Sequence, residues 1–142
     1  LAASYWQAGR TTDAITILET VAADRVRILG PEHPGTLTAQ ANLAASYRQA
    51  GRATDAITIE EKVAAETVRI LGPEHPDTLT AQANLAASYR QAGRTTDAIT
   101  IEEKVAAETV RILGPEHPDT KRAAEAVERW ADSDRRRHAS GE

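Results

Sequence analysis

This chain repeats itself almost without change. Leu43–Thr78 and Leu85–Thr120 differ only at Ala53 versus Thr95, and Leu1–Asn42 matches Leu43–Asn84 at 35 of 42 positions. A fixed period in this range is the mark of a repeat array, in which each unit is one supersecondary element. A unit of this size cannot bury its apolar faces alone. Stacking forms the core, and about three units are needed for stability. Such an array is a surface for holding something, and it is rarely a place where chemistry occurs.

Each unit reads as two helices. In the copy that starts at His75-Pro76, Pro76 suits the first turn, where its missing N–H would have no partner anyway. Asp77 suits the positive end of the helix dipole. Leu79, Ala83, Ala86 and Tyr89 then recur at helical spacing, with Leu85 beside them, and Gly93 ends this helix A. Thr95 or Thr96 is placed to cap a second helix, with Asp97 in its first turn. This helix B runs to Leu113, where Gly114-Pro115 stops it. It carries two apolar stripes, Ala98, Ile101, Val105 and Ile112 on one side and Ile99, Ala106, Val110 and Leu113 on another. A helix that is apolar on two sides is sandwiched between neighbours.

The expected architecture is therefore all-α: a right-handed α-solenoid of stacked helix-turn-helix units, about seven helices in all. Residues 1–42 form repeat 1, with helix A truncated to a half at Leu1–Ala8. Residues 43–84 form repeat 2 and residues 85–118 repeat 3. Residues 119–131 form a capping helix, because Lys121, Arg122, Glu125 and Glu128 replace Leu79, Thr80, Ala83 and Ala86, as the outer face of an end unit requires. Residues 132–142 are charged and are expected to fray as a tail. Leu1 falls in the middle of a helix A, so the array is expected to extend upstream.

Composition narrows the function. There is no Cys, which excludes a disulfide framework and thiol chemistry and fits a reducing, cytoplasmic location. The net charge of −4 gives no reason to expect nucleic acid. No stretch approaches the roughly 20 apolar residues of a membrane span. Arg outnumbers Lys 14 to 3 and Ala is abundant, which points to a GC-rich bacterial genome. No phosphate loop, Ser–His–Asp arrangement or Cys–His pair is visible, so neither an enzyme nor a cofactor is expected.

Candidate binding residues follow from spacing. Thr38, Asn42, Ala45 and Arg48/Gln49 share one helix face, and Thr80, Asn84, Ala87 and Arg90/Gln91 repeat it. Amide side chains suit the unpaired N–H and C=O groups of an extended peptide. Arg48 and Arg90 would favour an acidic side chain or a C-terminal carboxylate. Trp6 and Leu18 replace Arg48 and Glu60 in the first copy and are expected to pack on upstream repeats. Glu60-Glu61 and Glu102-Glu103 are adjacent on a helix and diverge, so they read as a solvated face. Lys62–Glu66 and Glu66–Arg69 have the spacing of weak pairs. His33, His75 and His117 recur one per unit; stacked helices lie about 8–10 Å apart, too far for equivalent imidazoles to share one ion. Helix capping is their expected role, and no metal site is expected. Arg135-Arg136-Arg137-His138 is a short basic run of a kind that usually only solvates an end.

The run Asn-Leu-Ala-x-x-Tyr-x-x-x-Gly-Arg, at Asn42–Arg52 and Asn84–Arg94, followed by Asp-Ala-Ile, resembles a tetratricopeptide repeat. The linker Leu-Gly-Pro-Glu-His-Pro, at Leu29–Pro34, Leu71–Pro76 and Leu113–Pro118, is similar to that in the 42-residue repeats of kinesin light chain and its bacterial relatives. The resemblance covers about residues 1–120. It implies a non-enzymatic scaffold whose helices A line a concave groove that holds an extended peptide, with Asn42 and Asn84 at the position where family members clamp the backbone. The capping helix has Ala126 there and offers no amide. The resemblance also leaves open a regulatory or sensor arm of a larger bacterial protein. The rival reading is structural: near-identical units could stack head to tail into a homo-oligomer.

Overall fold

The structure, a computed structural model, describes the backbone of residues 2–139 and the side chains of residues 9–129, 132, 135 and 136. Among these there are six helices and no strand: α1 (Ala2–Leu29), α2 (Pro34–Gln49), α3 (Ala53–Leu71), α4 (Pro76–Gln91), α5 (Thr95–Leu113) and α6 (Pro118–Ala139). Each packs on the next along the chain, and α2 also meets α4. α2, α4 and α6 occupy the helix A position of their units; α3, α5 and the latter part of α1 carry the B sequence. The result is an all-α solenoid. No helix among the described residues is long and apolar enough to cross a membrane.

The turn from helix A to helix B is built by the Tyr, Gly and Arg of the repeat. Gly51 and Gly93 stand at φ of 78° and 80°, a left-handed conformation that a side chain would strain. The N–H of Arg52 then reaches back to the Tyr47 carbonyl at 2.8 Å, and that of Arg94 to Tyr89 at 2.8 Å. Each guanidinium lies over the same tyrosine's ring, 4.5 Å from the centroid at Tyr47 and 4.4 Å at Tyr89. Each Nε also donates to an aspartate in the next helix, Asp55 at 2.8 Å and Asp97 at 2.9 Å. Arg52 and Arg94 are therefore the N-cap residues, in place of the expected threonine: Thr95 already lies inside α5.

The return turn from B to A uses His and Thr. Nδ1 of His33, His75 and His117 accepts the backbone N–H two residues on, at 2.9, 3.0 and 3.1 Å. The imidazoles cap helices, as their spacing suggested. Beneath them, Thr36 and Thr78 are fully buried, and each Oγ1 donates to the carbonyl of the preceding Gly30 or Gly72 at 2.7 Å. Each of these carbonyls also accepts the histidine N–H of its loop, at 3.5 Å for Gly30 and 3.4 Å for Gly72, and the threonine hydroxyl gives it a second, shorter hydrogen bond.

Two expectations about the ends are corrected. The first unit has no turn: its A half and its B helix form one continuous helix, α1, so there are six helices where seven were expected. In the later units the A segment is pressed against the helix before it as well as the one after. Among the described residues α1 packs on α2 alone, and a continuous helix keeps backbone hydrogen bonds that a turn would break. The last helix continues to Ala139, past the boundary expected at 131, so most of the charged tail is helical.

The core is divided between α3's two sides. Ala56 joins Ile15, Ala22, Leu43, Ala44 and Tyr47; Ile57 and Ala64 join Leu85, Ala86, Tyr89 and Ala98. α3 is thus the sandwiched helix that its two stripes required. Small alanines allow the close approach. The face of α4 is rotated slightly from expectation: Gln82 and Ser88 are buried, whereas Ala83 is exposed. α5 differs from α3 only at its first residue, yet buries just Ala98 and Thr109, against seven residues in α3. Its far side meets only α6, where Glu125 and Glu128 are exposed in place of alanines.

Candidate functional site

The expected binding face separates into two places. Thr38 and Asn42 project from α2, Thr80 and Asn84 from α4, and all four line one groove of about 280 Å³ between these helices. Spacing by four residues puts each pair on one helix face, and the stack brings the two faces together. The floor is apolar: Leu37 and Ala41 from α2, Ala81 from α4, and Val63, Ile70 and Leu71 from α3. Ile70 and Leu71 remain about two-fifths exposed there. Glu32 and Asp77 stand at the rim, and no cationic side chain lines the groove.

Arg48, Gln49, Arg90 and Gln91 lie outside it, in the last turns of α2 and α4. Arg48 is turned into the stack. Its Nη1 donates to Glu60 Oε2 at 3.0 Å, to the Asn84 carbonyl at 3.0 Å and to Ser88 Oγ at 3.1 Å. Ser88 in turn donates to the other oxygen of Glu60. One guanidinium thus joins α2, α3 and α4. Arg90 pairs with Glu102 in the same way one unit later. Gln91 Nε2 donates to the Arg48 carbonyl at 3.0 Å, tying the ends of the two helices A, while Gln49 is exposed.

This corrects the reading of the paired glutamates. Glu60 is 5% exposed and Glu102 half-buried; only Glu61 and Glu103 face water. Burial raises the Glu60 carboxyl above its ordinary range, against the opposing pull of Ser88 and Arg48. Glu102 is raised by burial against the pull of Arg90, and burial lowers the Arg90 guanidinium. The signal was in the sequence. Arg and Glu stand 12 residues apart in two copies, and in the first copy both change together, to Trp6 and Leu18. Leu18 packs against the first core cluster, whereas the Trp6 side chain lies outside the described residues.

The surface pairs are simpler. Arg69 holds Glu66 one turn earlier at 2.6 Å and also Glu32 of the preceding linker at 2.8 Å. Arg111 repeats this with Glu108 at 2.5 Å and Glu74 at 2.6 Å. The link from the last turn of each helix B to the linker one unit earlier was not foreseen, because sequence spacing shows only neighbours on one helix. These groups are largely exposed, and such pairs are worth little each. No group of three His, Cys, Asp or Glu side chains converges among the described residues. Of the basic run, Arg135 and Arg136 each pair with Asp132, and the side chains of Arg137 and His138 lie outside the described residues.

A stack of helix pairs with an amide-bearing groove along its helices A defines a class, the helical-repeat scaffolds. Residues 1–65, and again 42–107, match the tetratricopeptide repeat family, and the chain belongs to it. The solved structures agree. A kinesin light chain-type protein of Podosopora anserina with nearly identical tetratricopeptide-like repeats superposes with a TM-score of 0.79 at 33% identity, over 92% of this chain and 62% of that one. A single-substitution variant of it gives 0.79 at 33% identity, over 92% and 61%. BtubC of P. vanneervenii shares the fold, with a TM-score of 0.75 at 19% identity, over 87% of this chain and 51% of that one. The chain thus spans between 51% and 62% of the length of these proteins. No curated protein matches it in sequence. Tetratricopeptide repeats generally mediate protein–protein interaction or scaffolding, and the family is generally non-catalytic.

Proposed function

We propose that the chain is a peptide-recognition module whose ligand lies extended in the groove between α2 and α4. The observation that carries this reading is the meeting of Thr38, Asn42, Thr80 and Asn84 over an apolar floor. Two amides and two hydroxyls supply donors and acceptors for a peptide backbone. The floor formed by Leu37, Ile70 and Leu71 takes one large apolar side chain, and burying it supplies most of the affinity.

An acidic or C-terminal ligand was expected because of Arg48 and Arg90. Each of these now has a carboxylate of its own, and the groove's lining offers an acidic ligand no cation: Glu32 is held by Arg69, and Asp77 is exposed. We assign the two arginines to holding the stack together, and the groove to an apolar residue without acidic neighbours. A peptide array bearing Leu, Phe or Trp flanked by neutral, basic or acidic residues tests this. Hits with neutral or basic flanks should be lost when Thr38, Asn42, Thr80 and Asn84 are all replaced by Ala, with helix content retained by circular dichroism. Hits confined to acidic flanks, or indifferent to the fourfold variant, would overturn it.

A further inference from the structure

Asn84 faces two ways. Its residue lines the groove between α2 and α4, and its backbone carbonyl accepts Arg48 Nη1 of α2 at 3.0 Å. Arg48 is itself fixed from α3 and α4: the same Nη1 donates to the buried Glu60 at 3.0 Å and to Ser88 Oγ at 3.1 Å. Gln91 Nε2 of α4 donates in return to the Arg48 carbonyl at 3.0 Å. The side chain and the backbone of Arg48 thus each carry a tie between the two helices that wall the groove.

The next gap along the stack differs. One unit on, Asn84, Ser88 and Gln91 are replaced by Ala126, Trp130 and Ser133. Among the described residues α2 meets α4, whereas α4 does not meet α6. Ala41 and Ala45 on α2 are half-buried, whereas their counterparts Ala83 and Ala87 on α4 are exposed. The apolar floor is alike in both gaps: Ile112 and Leu113 are 41% and 43% exposed, Ile70 and Leu71 39% and 40%. The floors match, and the ties between the walls do not.

We propose that Arg48 is a positioning residue for recognition. With Gln91 it sets the spacing of α2 and α4, and through the Asn84 carbonyl it fixes the place of the amide that meets a peptide backbone. The chain therefore takes one peptide, between α2 and α4, and none between α4 and α6. This deepens the groove reading above and rests on it.

The test uses two variants of the full chain. Arg48→Trp with Glu60→Leu installs the residues of the first copy and leaves no donor for the Asn84 carbonyl. Gln91→Ala removes only the exposed amide, and its urea midpoint should stay that of the parent. The chain has no Cys, so spin labels at Ala50→Cys and Ala92→Cys, exposed at the C-caps of α2 and α4, report the helix spacing without ligand. The label distance should be short and narrow in the parent, as for helices about 8–10 Å apart, and longer and broader in both variants. Calorimetry with a peptide selected on the parent array should give one peptide per chain. Its affinity should fall about tenfold in the double variant, the worth of one hydrogen bond to the ligand, and by less in Gln91→Ala. A distance unmoved in both variants, an affinity unmoved where the distance has changed, or two peptides per chain would each overturn the proposal. If no peptide binds the parent, the groove reading fails, and the spacing claim stands or falls on the label distance alone.

Discussion

Glu60 holds a charge where water scarcely reaches, and its neighbours make that tolerable. Breaking such a pair by removing one partner is far worse than replacing both. Arg48→Ala or Glu60→Ala should therefore lower stability by about 2–3 kcal/mol, as charge-assisted hydrogen bonds across three helices are lost. The double variant Arg48→Trp with Glu60→Leu restores the pair found in the first copy. It should be more stable than either single variant, measured as the urea midpoint; a double variant as weak as the sum of the singles would reject the exchange.

The same residue sets a pH dependence. The folded state binds the Glu60 proton more tightly than the unfolded chain does, because burial raises its carboxyl above the ordinary 4.5. Its contribution to stability is thus complete below that value and is lost as pH rises through the folded value. Denaturant unfolding followed from about pH 4 to about pH 7 should show a smaller loss in Glu60→Gln than in the parent. Parallel curves would remove the assignment.

Among the elements, the pair α3 and α5 separates what sequence decides from what context decides. Helix existence, the glycine stops, the His caps and the sandwiched face were all legible, because they rest on local propensity and spacing. The depth of burial was not: the same Val and Ala are buried at Val63 and Ala64 but only half-buried at Val105 and Ala106. The groove was legible in part. Thr38, Asn42, Thr80 and Asn84 were placed by helical periodicity, but Arg48 and Arg90 looked like ligand-facing cations, since a single helix wheel cannot show a partner arriving from another helix. Turns offer a direct test. Gly93→Ala should destabilise by about 1–2 kcal/mol through its left-handed backbone. Thr78→Val should lose about 1 kcal/mol by removing the shorter of the two hydrogen bonds to the Gly72 carbonyl, whose other donor is the His75 N–H at 3.4 Å. Chemical denaturation measures both, and a neutral Gly93→Ala would contradict the turn geometry.

At the level of the whole molecule, stability is set by neighbours on each side. Amide exchange followed by NMR should be slower in α3 than in α5 despite their shared sequence; equal protection would mean that the stack unfolds as one block. The mass in sedimentation should stay constant over a wide concentration range, because the exposed Glu128 stands at the position of Ala86, which is fully buried in the stack. A mass that climbs steadily would favour head-to-tail assembly.

Every joint between units carries the same Asn-Leu step, at Asn42-Leu43 and Asn84-Leu85. At the level of the gene, a misaligned crossover between two copies would remove or add one whole unit and still rejoin Asn to Leu. The linker ion pairs, the threonine locks and the groove between successive helices A would re-form across the new joint from the same residues. Such a gene can change the length of its product by recombination alone, with no point mutation and no new contact to invent, and the number of grooves would change with it.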